Sequence, residues 1–451
     1  MTITGDAGAS RGSRLPRVGR RLILLALAGV FVAFAAYGSF VPLRWNSVPL
    51  DAAVARFSQT PFIPLSRASR SDFLTNVLLF VPIGFFLLGA AANRSRALAA
   101  AWFVPVVLLA LGLSVGIEFG QIFVSGRTPS WNDVFAETLG GALGALTWAA
   151  LGTVVVDWLG VLLHSDSQSE RAFRLLGAYT ALWVVLGLQP FDYTVSPEEL
   201  SQKLRAGRIV LQPFGGRDTL SDVVGTLLMA VPVGAFGVLA AVHRRSTRPA
   251  RLGLTIAIAA TCLVEFSQLL AMSRTADVTD LLMNGAGGST GVFLATRALA
   301  TPLRPGGAGG VRLWPLAALA VWCVVLVVRH WTPFDFVADV SFVRSRVPLL
   351  LRVPFHSYYW AMPLSAFAEA SSKFLLGMPV GALLQWVWVP SSRRRRFVQA
   401  LGILLVSIAL FLAIELGQLL LPTRVPDQTD IYIATAGAMA GAFAIRLIAR
   451  R

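Results

Sequence analysis

The sequence predicts an all-α polytopic membrane protein with about twelve transmembrane helices, arranged as three parallel four-helix repeats. Composition is the first reason, because 55% of the 451 residues are hydrophobic types and only 14% are charged, whereas soluble domains average about 25% charged residues. Apolar segments of membrane-spanning length are the second reason, and a polar motif that occurs three times is the third. This composition excludes a disordered chain and argues against an ordinary soluble enzyme.

Twelve segments are apolar enough to cross a bilayer, which takes about 20 residues in a helix. They are residues 22–40, 73–92, 98–123, 134–157, 172–188, 222–242, 252–271, 281–300, 313–330, 370–389, 397–421 and 431–448. The first segment is longer than the apolar core of a typical signal peptide and lacks a clear small-residue cleavage site. We therefore interpret it as a membrane helix.

The distribution of arginine predicts the orientation of these helices, because short cytoplasmic loops are enriched in basic residues. The net charge is +16, from 39 basic and 23 acidic residues. If the N-terminal tail, residues 1–21, is inside, every other inside segment is also short and basic, as at residues 393–396. We predict a bacterial cytoplasmic (inner) membrane protein with both termini in the cytoplasm. The basic charge then reflects topology and contact with the anionic lipid bilayer surface, not nucleic-acid binding.

A polar motif aligns three parts of the chain without a gap. A glutamate is followed by glutamine three positions later, arginine nine positions later and aspartate fifteen positions later. The members are Glu118, Gln121, Arg127 and Asp133; Glu265, Gln268, Arg274 and Asp280; and Glu415, Gln418, Arg424 and Asp430. Glycines 22 and 26 positions after each glutamate form a Gly-x-x-x-Gly pattern, which permits close helix packing in membranes.

A second block precedes each motif and extends the repeat. It begins with an acid, and a proline follows ten positions later inside the predicted helix. Proline-hydrophobic pairs precede it in the long outer loops. The acids are Asp72, Asp222 and Glu369; the helix prolines are Pro82, Pro232 and Pro379; the pairs begin at Pro42, Pro190, Pro333, Pro61, Pro213 and Pro354. We predict a basic cytoplasmic tail at 1–21 and repeats at 22–160, 172–301 and 312–451, which we call repeats one, two and three.

Two interpretations of the glutamate remain open. Residues at i and i+3 share one helix face, so Glu118 and Gln121 point the same way near the predicted outer end of the third helix. An acid within a membrane helix is a candidate functional residue. The alternative is an ion pair between the glutamate and the loop arginine that holds two helices together.

The arginine and the acids also have two interpretations each. A turn in the loop would bring Arg127 back toward Glu118, and a guanidinium suits carboxylates and phosphates. Alone, interfacial snorkelling explains the arginine better; together with Glu and Asp, ligand binding is favoured. The aspartates fifteen positions after the glutamates precede new apolar helices, so helix N-capping explains them best. The acids of the second block are also predicted N-caps.

At these residues the sequence resembles the VanZ-like family. The matching segments in repeat one are residues 72–84, Glu118-Phe-Gly-Gln121, Arg127 and Asn132-Asp133. Repeat two matches through Glu265-Phe-Ser-Gln268, Arg274, Thr279-Asp280 and Asn284-Gly285, and repeat three more weakly. The resemblance covers nearly the whole chain as three consecutive domains. It implies a multi-span bacterial membrane protein, and the founding member of the family is associated with resistance to teicoplanin-type glycopeptide antibiotics.

The repeats depart from the family pattern at two asparagines. The second-helix asparagine is Asn76 in repeat one but Thr226 and Lys373 in the others. The asparagine after the aspartate is Asn284 in repeat two but Glu137 and Ala434 in the others. Because no repeat keeps both asparagines, some repeats can be purely structural.

Three functions fit the sequence. The favoured one is a cell-envelope protein whose outward-facing pockets bind an anionic envelope lipid, a lipid-linked precursor or an antibiotic-related ligand. The second is an intramembrane enzyme with glutamate as general base. A transporter is less favoured, because three parallel units differ from the usual two-half design. The candidate ligand-binding residues are the twelve motif residues and Asn284, with Asp72, Asn76, Asp222 and Glu369 as secondary members. Two cysteines and four scattered histidines predict neither metal nor cofactor, and no catalytic residue is assigned.

Overall fold

The computed structural model describes residues 17–62, 67–92, 95–165, 167–188, 193–215, 220–272, 274–300, 313–360, 363–387 and 393–448. These residues are predominantly helical, which confirms the predicted all-α fold class. The helices are α1 (Arg17–Phe40), α2 (Leu50–Ser58), α3 (Arg67–Ala92), α4 (Arg96–Gln121), α5 (Trp131–His164), α6 (Gln168–Leu188), α7 (Pro197–Arg205), α8 (Leu220–His243), α9 (Pro249–Leu270), α10 (Val278–Ala300), α11 (Trp314–Trp331), α12 (Val340–Leu350), α13 (His356–Trp360), α14 (Pro363–Val387), α15 (Arg393–Gln418) and α16 (Gln428–Ile448). Two short strands, β1 (Ile209–Val210) and β2 (Ala276–Asp277), pair in parallel.

A long helix coincides with each of the twelve predicted spans, although α4, α9 and α15 end before the predicted boundaries. Repeat one contains α1, α3, α4 and α5; repeat two contains α6, α8, α9 and α10; repeat three contains α11, α14, α15 and α16. Within the described residues, ten of these helices are long and apolar enough to cross a membrane. The other two, α10 and α14, carry polar residues of the repeated motifs, such as Asp280 and Lys373. The chain is therefore a multi-pass membrane protein in which some helices carry polar residues inside the bundle.

Glycines bring the second and fourth helices of each repeat into direct backbone contact. In repeat one, a Cβ on Gly140 or Gly144 of α5 would overlap the carbonyl oxygen of Val77 or Val81 of α3. The equivalent pairs are Gly287 with Leu227 and Gly291 with Val231 in repeat two, and Gly437 with Phe374 and Gly441 with Met378 in repeat three. The structural interpretation of the Gly-x-x-x-Gly pattern is thus confirmed. Close backbone approach fixes the spacing and register of these two helices.

The chain divides into two compact units, residues 1–166 with 355–364 and residues 167–354 with 365–451. In the first unit, the Phe355 ring packs edge-on against Phe34 and Tyr37 of α1, with centroid separations of 6.0 and 6.1 Å. In the second unit, Arg171 of α6 donates a hydrogen bond to the Ile448 carbonyl of α16 at 3.4 Å. The second unit therefore joins repeats two and three.

The long loops after the first helix of each repeat contain short helices that the sequence did not predict. Before each short helix, the chain runs antiparallel to the loop that follows the third helix. Trp45 bridges Val124 in repeat one, Tyr193 bridges Ala271 in repeat two, and the Val337 amide donates to the Leu420 carbonyl in repeat three at 2.7 Å. The three loops thus share an architecture, although their residue types differ.

Several proline-hydrophobic pairs mark a change of backbone direction. Leu43, Phe214, Phe334 and Phe355 follow the prolines of four pairs and have φ values of 61°, 58°, 64° and 64°. Residues other than glycine rarely adopt this left-handed backbone conformation. The pair at Pro190 lies outside the described residues. These pairs set the path of the long loops over the ends of the helices.

Candidate functional site

The repeated polar residues of each repeat come together where the third helix ends and the fourth begins. Glu118, Glu265 and Glu415 lie in the last turns of α4, α9 and α15. The aspartates Asp133, Asp280 and Asp430 lie in the first turns of α5, α10 and α16. We call each such group the polar cluster of its repeat.

In repeat one, Glu118 is 1% exposed and holds the loop between α4 and α5. Its Oε1 accepts a hydrogen bond from Gln121 Nε2 at 2.9 Å. Its Oε2 accepts one from the backbone amide of Ser130 at 2.8 Å. A second buried acid, Glu137, accepts a hydrogen bond from the Ser114 hydroxyl at 2.5 Å. Both acids are therefore hydrogen-bonded within the repeat.

Repeat three reproduces this arrangement. Glu415 is 2% exposed, and its Oε1 accepts a hydrogen bond from Gln418 Nε2 at 3.2 Å. Its Oε2 accepts from the backbone amide of Asp427 at 2.9 Å. Asp427 stands twelve positions after the glutamate, as Ser130 does in repeat one. The same contact between glutamate and loop amide is thus present in repeats one and three, although the residues that supply the amide differ.

Repeat two differs at the same position. Glu265 is partly exposed, and its Oε1 accepts a hydrogen bond from Asn284 Nδ2 at 3.0 Å. Its Oε2 is buried and has no hydrogen-bond partner among the described residues. Native proteins pair the large majority of buried polar atoms, so such an atom calls for an explanation.

The loop arginines hold the end of the first helix. Arg127 donates hydrogen bonds to the carbonyl of Val41, at 3.0 Å, and to that of Gly38. Arg424 donates to the carbonyl of Thr332, at 2.6 and 2.9 Å, and to that of Arg329 at 3.3 Å. A cation at a helix C-terminus offsets the negative end of the helix dipole. Helix capping is therefore a role that the sequence analysis did not consider for these arginines.

The same arginines remain part of the polar clusters through electrostatics. Arg127 attracts the Glu118 carboxylate, and Arg274 attracts that of Glu265. The predicted turn of Arg127 back toward Glu118 stays a prediction, because the hydrogen bonds of Arg127 described above go to the first helix.

The second block of the repeat also reaches the polar cluster, through the residue four positions after its acid. Asn76 hydrogen-bonds the Asp133 side chain. Thr226 Oγ1 donates to Asp280 Oδ1 at 3.4 Å. Lys373 Nζ donates to Asp430 Oδ2 at 2.5 Å. The position that varies between repeats as asparagine, threonine or lysine is therefore the partner of the motif aspartate.

The predicted N-capping role of the acids is wrong. Asp133, Asp280 and Asp430 are the third residues of their helices, and Asp72, Asp222 and Glu369 lie within α3, α8 and α14. The fourth helices begin earlier than their apolar stretches, because a polar first turn precedes each stretch. The cap positions are Ser130, Asp277 and Asp427. Asp277 and Asp427 accept hydrogen bonds from the amides of Thr279 and Thr429 at 2.7 and 2.8 Å.

Cations of the loop helices contribute to the site, and the sequence analysis missed them. Lys203 of α7 is 1% exposed, and its Nζ donates to the carbonyls of Gln268, Leu269 and Ala271 at 2.5, 3.0 and 2.6 Å. Arg346 of α12 reaches the carbonyls of Gln418 and Arg424. Each is the seventh residue of its helix, as is Arg56 of α2. This shared position is the signal that a comparison of the loops would have found.

Replacing Lys203 by methionine is expected to destabilise the protein by about 2 kcal/mol, because three helix-end carbonyls lose a charged donor while most of the apolar stem is kept. The thermal unfolding midpoint of the purified protein in detergent should fall. Arg56→Met is the matched control, because Arg56 has the same helix position but an exposed side chain. Equal midpoints for the two variants would contradict the capping role.

A small pocket lies within the polar cluster of repeat three. Polar groups of His330, Lys373, Glu415 and Asp430 line it together with apolar side chains. Its cavity volume of about 10 Å³ is space for about one water molecule. No group of three or more His, Cys, Asp or Glu residues that could hold a metal ion occurs in the described part of the chain.

Comparison with known proteins covers most of the chain. The family model described as VanZ/LLP1 matches three segments, residues 22–152, 176–300 and 316–449. The matches fall on the three repeats and confirm three consecutive domains. No curated protein and no solved structure matches the chain.

Proposed function

The chain belongs to the VanZ/LLP1 family, and from this premise we propose that it is a cell-envelope protein of the bacterial cytoplasmic membrane. In this proposal both termini are cytoplasmic, and the polar clusters face the outer leaflet. They bind an anionic envelope lipid or a lipid-linked precursor by its polar headgroup. By retaining that molecule, the protein lowers susceptibility to glycopeptide antibiotics of the teicoplanin type.

The observation that supports this proposal is the threefold recurrence of one polar cluster inside an apolar helix bundle. Acids within the membrane are costly, so they mark functional sites by default. Each cluster combines carboxylates, which accept hydrogen bonds from hydroxyl and amino groups, with an arginine and a helix N-terminus, which attract phosphate. A phosphate-bearing headgroup with hydroxyl or amino groups matches both kinds of partner.

A second candidate, an intramembrane enzyme acting on the same class of lipid, is favoured by Glu265 alone. Its Oε2, which has no hydrogen-bond partner among the described residues, is an acceptor that a general base needs within hydrogen-bond reach of a substrate proton. Arg274 is the cluster cation that would hold a phosphate in this reaction. Release of a labelled headgroup by the purified protein would distinguish turnover from binding.

Expression of the wild-type chain in a glycopeptide-sensitive host is expected to raise the minimal inhibitory concentration of teicoplanin severalfold. Combined replacement of Glu118, Glu265 and Glu415 by glutamine is expected to abolish the effect at matched membrane levels, because every cluster loses its central acid. Single Glu→Gln changes, with Arg→Ala at 127, 274 and 424, then show which repeats contribute.

The control variants neutralise acids of the loop helices that lie away from the clusters. Asp51→Asn and Glu198→Gln each remove one exposed carboxylate and should retain full protection. Protection that survives the triple Glu→Gln change would make the clusters structural. No protection by the wild type would reject the resistance role.

A further inference from the structure

We propose that repeat two is the ligand-binding repeat, and that Glu265 Oε2 accepts a hydrogen bond from a hydroxyl or ammonium group of a lipid headgroup. This inference rests on the proposed function and narrows it to one of the three clusters. In this assignment, the polar clusters of repeats one and three stabilise the fold and do not bind the ligand.

The glutamates of repeats one and three have no carboxylate oxygen left for a ligand. Both oxygens of Glu118 accept hydrogen bonds from their own repeat, as do both oxygens of Glu415. Both side chains are almost fully buried, at 1% and 2% exposure, and neither of their oxygens is left without a hydrogen bond for a ligand to supply. These two carboxylates therefore hold the loop between the third and fourth helices.

Glu265 lacks the backbone partner of the other two glutamates because its loop takes a different course. In the other repeats the donor is the backbone amide twelve positions after the glutamate. In repeat two this residue is Asp277, which belongs to β2 and pairs with Val210 of β1. The preceding residue, Ala276, donates its amide to the Arg208 carbonyl at 3.0 Å. The loop is thus held by β1, and Glu265 Oε2 is left without the donor.

The end of α9 is held by a side chain of α7. The Lys203 side chain occupies the carbonyls of Gln268, Leu269 and Ala271, so the helix end is fixed by α7. Gln268 itself is partly exposed, unlike the buried Gln121 and Gln418. Repeat two therefore keeps its loop ordered by contacts that do not use the glutamate.

The side chains around Glu265 include neutral hydrogen-bonding groups and a second acid. Asn284 holds Oε1, and Thr226 contacts the neighbouring Asp280. In repeat three the corresponding aspartate is paired with the ammonium group of Lys373. Glu265 of repeat two therefore has an amide donor on Oε1 and, among the described residues, no donor on Oε2, and a ligand that donates a hydrogen bond complements it.

The test uses the full-length purified protein in nanodiscs of phosphatidylcholine, whose headgroup has no hydrogen-bond donor. Phosphatidylethanolamine supplies an ammonium group, and phosphatidylglycerol supplies hydroxyl groups. We expect one of these two lipids to raise the thermal unfolding midpoint of the wild type by a few degrees, since a ligand of the native state stabilises it. Glu118→Gln and Glu415→Gln should keep this shift, and Glu265→Gln should lose it.

The thermal unfolding midpoints in phosphatidylcholine alone provide a second test, which needs no ligand. Glu265→Gln removes an acceptor that lacks a partner, so the midpoint in phosphatidylcholine should not fall. Glu118→Gln and Glu415→Gln remove an acceptor that a buried amide uses, so their midpoints should fall. A further variant, Asn284→Leu, removes the donor that orients Glu265, and its lipid-dependent shift should be smaller than that of the wild type.

Three results would overturn the assignment: no shift with either lipid in the wild type, an equal shift in Glu265→Gln, or loss of the shift in Glu118→Gln. The antibiotic assay separates this inference from the proposed function. A shift that depends on Glu265 without any antibiotic protection supports the repeat-two site and rejects the resistance role. Protection that depends on Glu118 or Glu415 but not on Glu265 rejects the assignment to repeat two.

Discussion

Replacing Gly287 by alanine is expected to destabilise the protein by about 3 kcal/mol, at the upper end of the usual cost of overpacking. A Cβ at this position of α10 would overlap the carbonyl oxygen of Leu227 in α8 and approach the Cβ of Ala230. The carbonyl belongs to a helix backbone and cannot turn aside as a side chain can. The two helices must therefore separate, and neighbouring contacts of the same interface loosen with them.

The control for this prediction lies two residues away in the same helix. A Cβ at Gly285 would meet no heavy atom within 4 Å among the described residues, and alanine is favoured over glycine in a helix by about 0.5–1 kcal/mol. Gly285→Ala should therefore leave the thermal unfolding midpoint unchanged or raise it, while Gly287→Ala lowers it. Similar midpoints for the two variants would show that the helices do not meet at Gly287.

The membrane helices and their glycine contacts could be predicted from the sequence because both follow from local patterns. Hydropathy over about 20 residues reports the burial of a helix in lipid. The spacing of Gly140 and Gly144 recurs in each repeat and matches one face of a helix. These signals depend on residue types alone, so the fold class and the helix-packing role were both predicted correctly.

The partners of the charged residues could not be predicted in the same way. Arg127 and Lys203 bind backbone carbonyls, and a carbonyl has no sequence signature because every residue carries one. The early start of α5 was missed because its first turn is polar, so hydropathy placed the boundary after Asp133. The contact between Asn76 and Asp133 joins two blocks that the repeat alignment identified separately, and only the fold shows that they meet.

The buried oxygen of Glu265 that lacks a partner among the described residues could not be predicted from the sequence either. The glutamate and the glutamine are identical in all three repeats, so the motif predicts three equivalent sites. The difference arises from the loop, where β2 pairs with β1 in repeat two. Repeats with the same motif can therefore differ in function through contacts made outside it.

Lys373 is expected to stabilise repeat three by charge pairing with Asp430. Its Nζ lies 2.5 Å from Asp430 Oδ2 and 2.7 Å from Glu369 Oε1, and Asp430 is 8% exposed. Lys373→Ala should cost about 3–5 kcal/mol, because it leaves a buried carboxylate without its cation. The loss should appear as a lower thermal unfolding midpoint and as lower membrane levels at equal expression.

Two further variants separate the charge from the packing. Lys373→Asn introduces the residue that repeat one has at this position, Asn76, and should lose less stability because an amide still donates a hydrogen bond to Asp430. The double change Lys373→Met with Asp430→Leu removes both charges, and it should be close to the wild type, since apolar residues of similar volume often replace buried ion pairs without loss. If the double variant is as unstable as Lys373→Ala, the ion pair itself contributes net stability that apolar side chains of similar shape do not replace. In that case the charge pair between Lys373 and Asp430, rather than the apolar packing around it, holds the polar cluster of repeat three together.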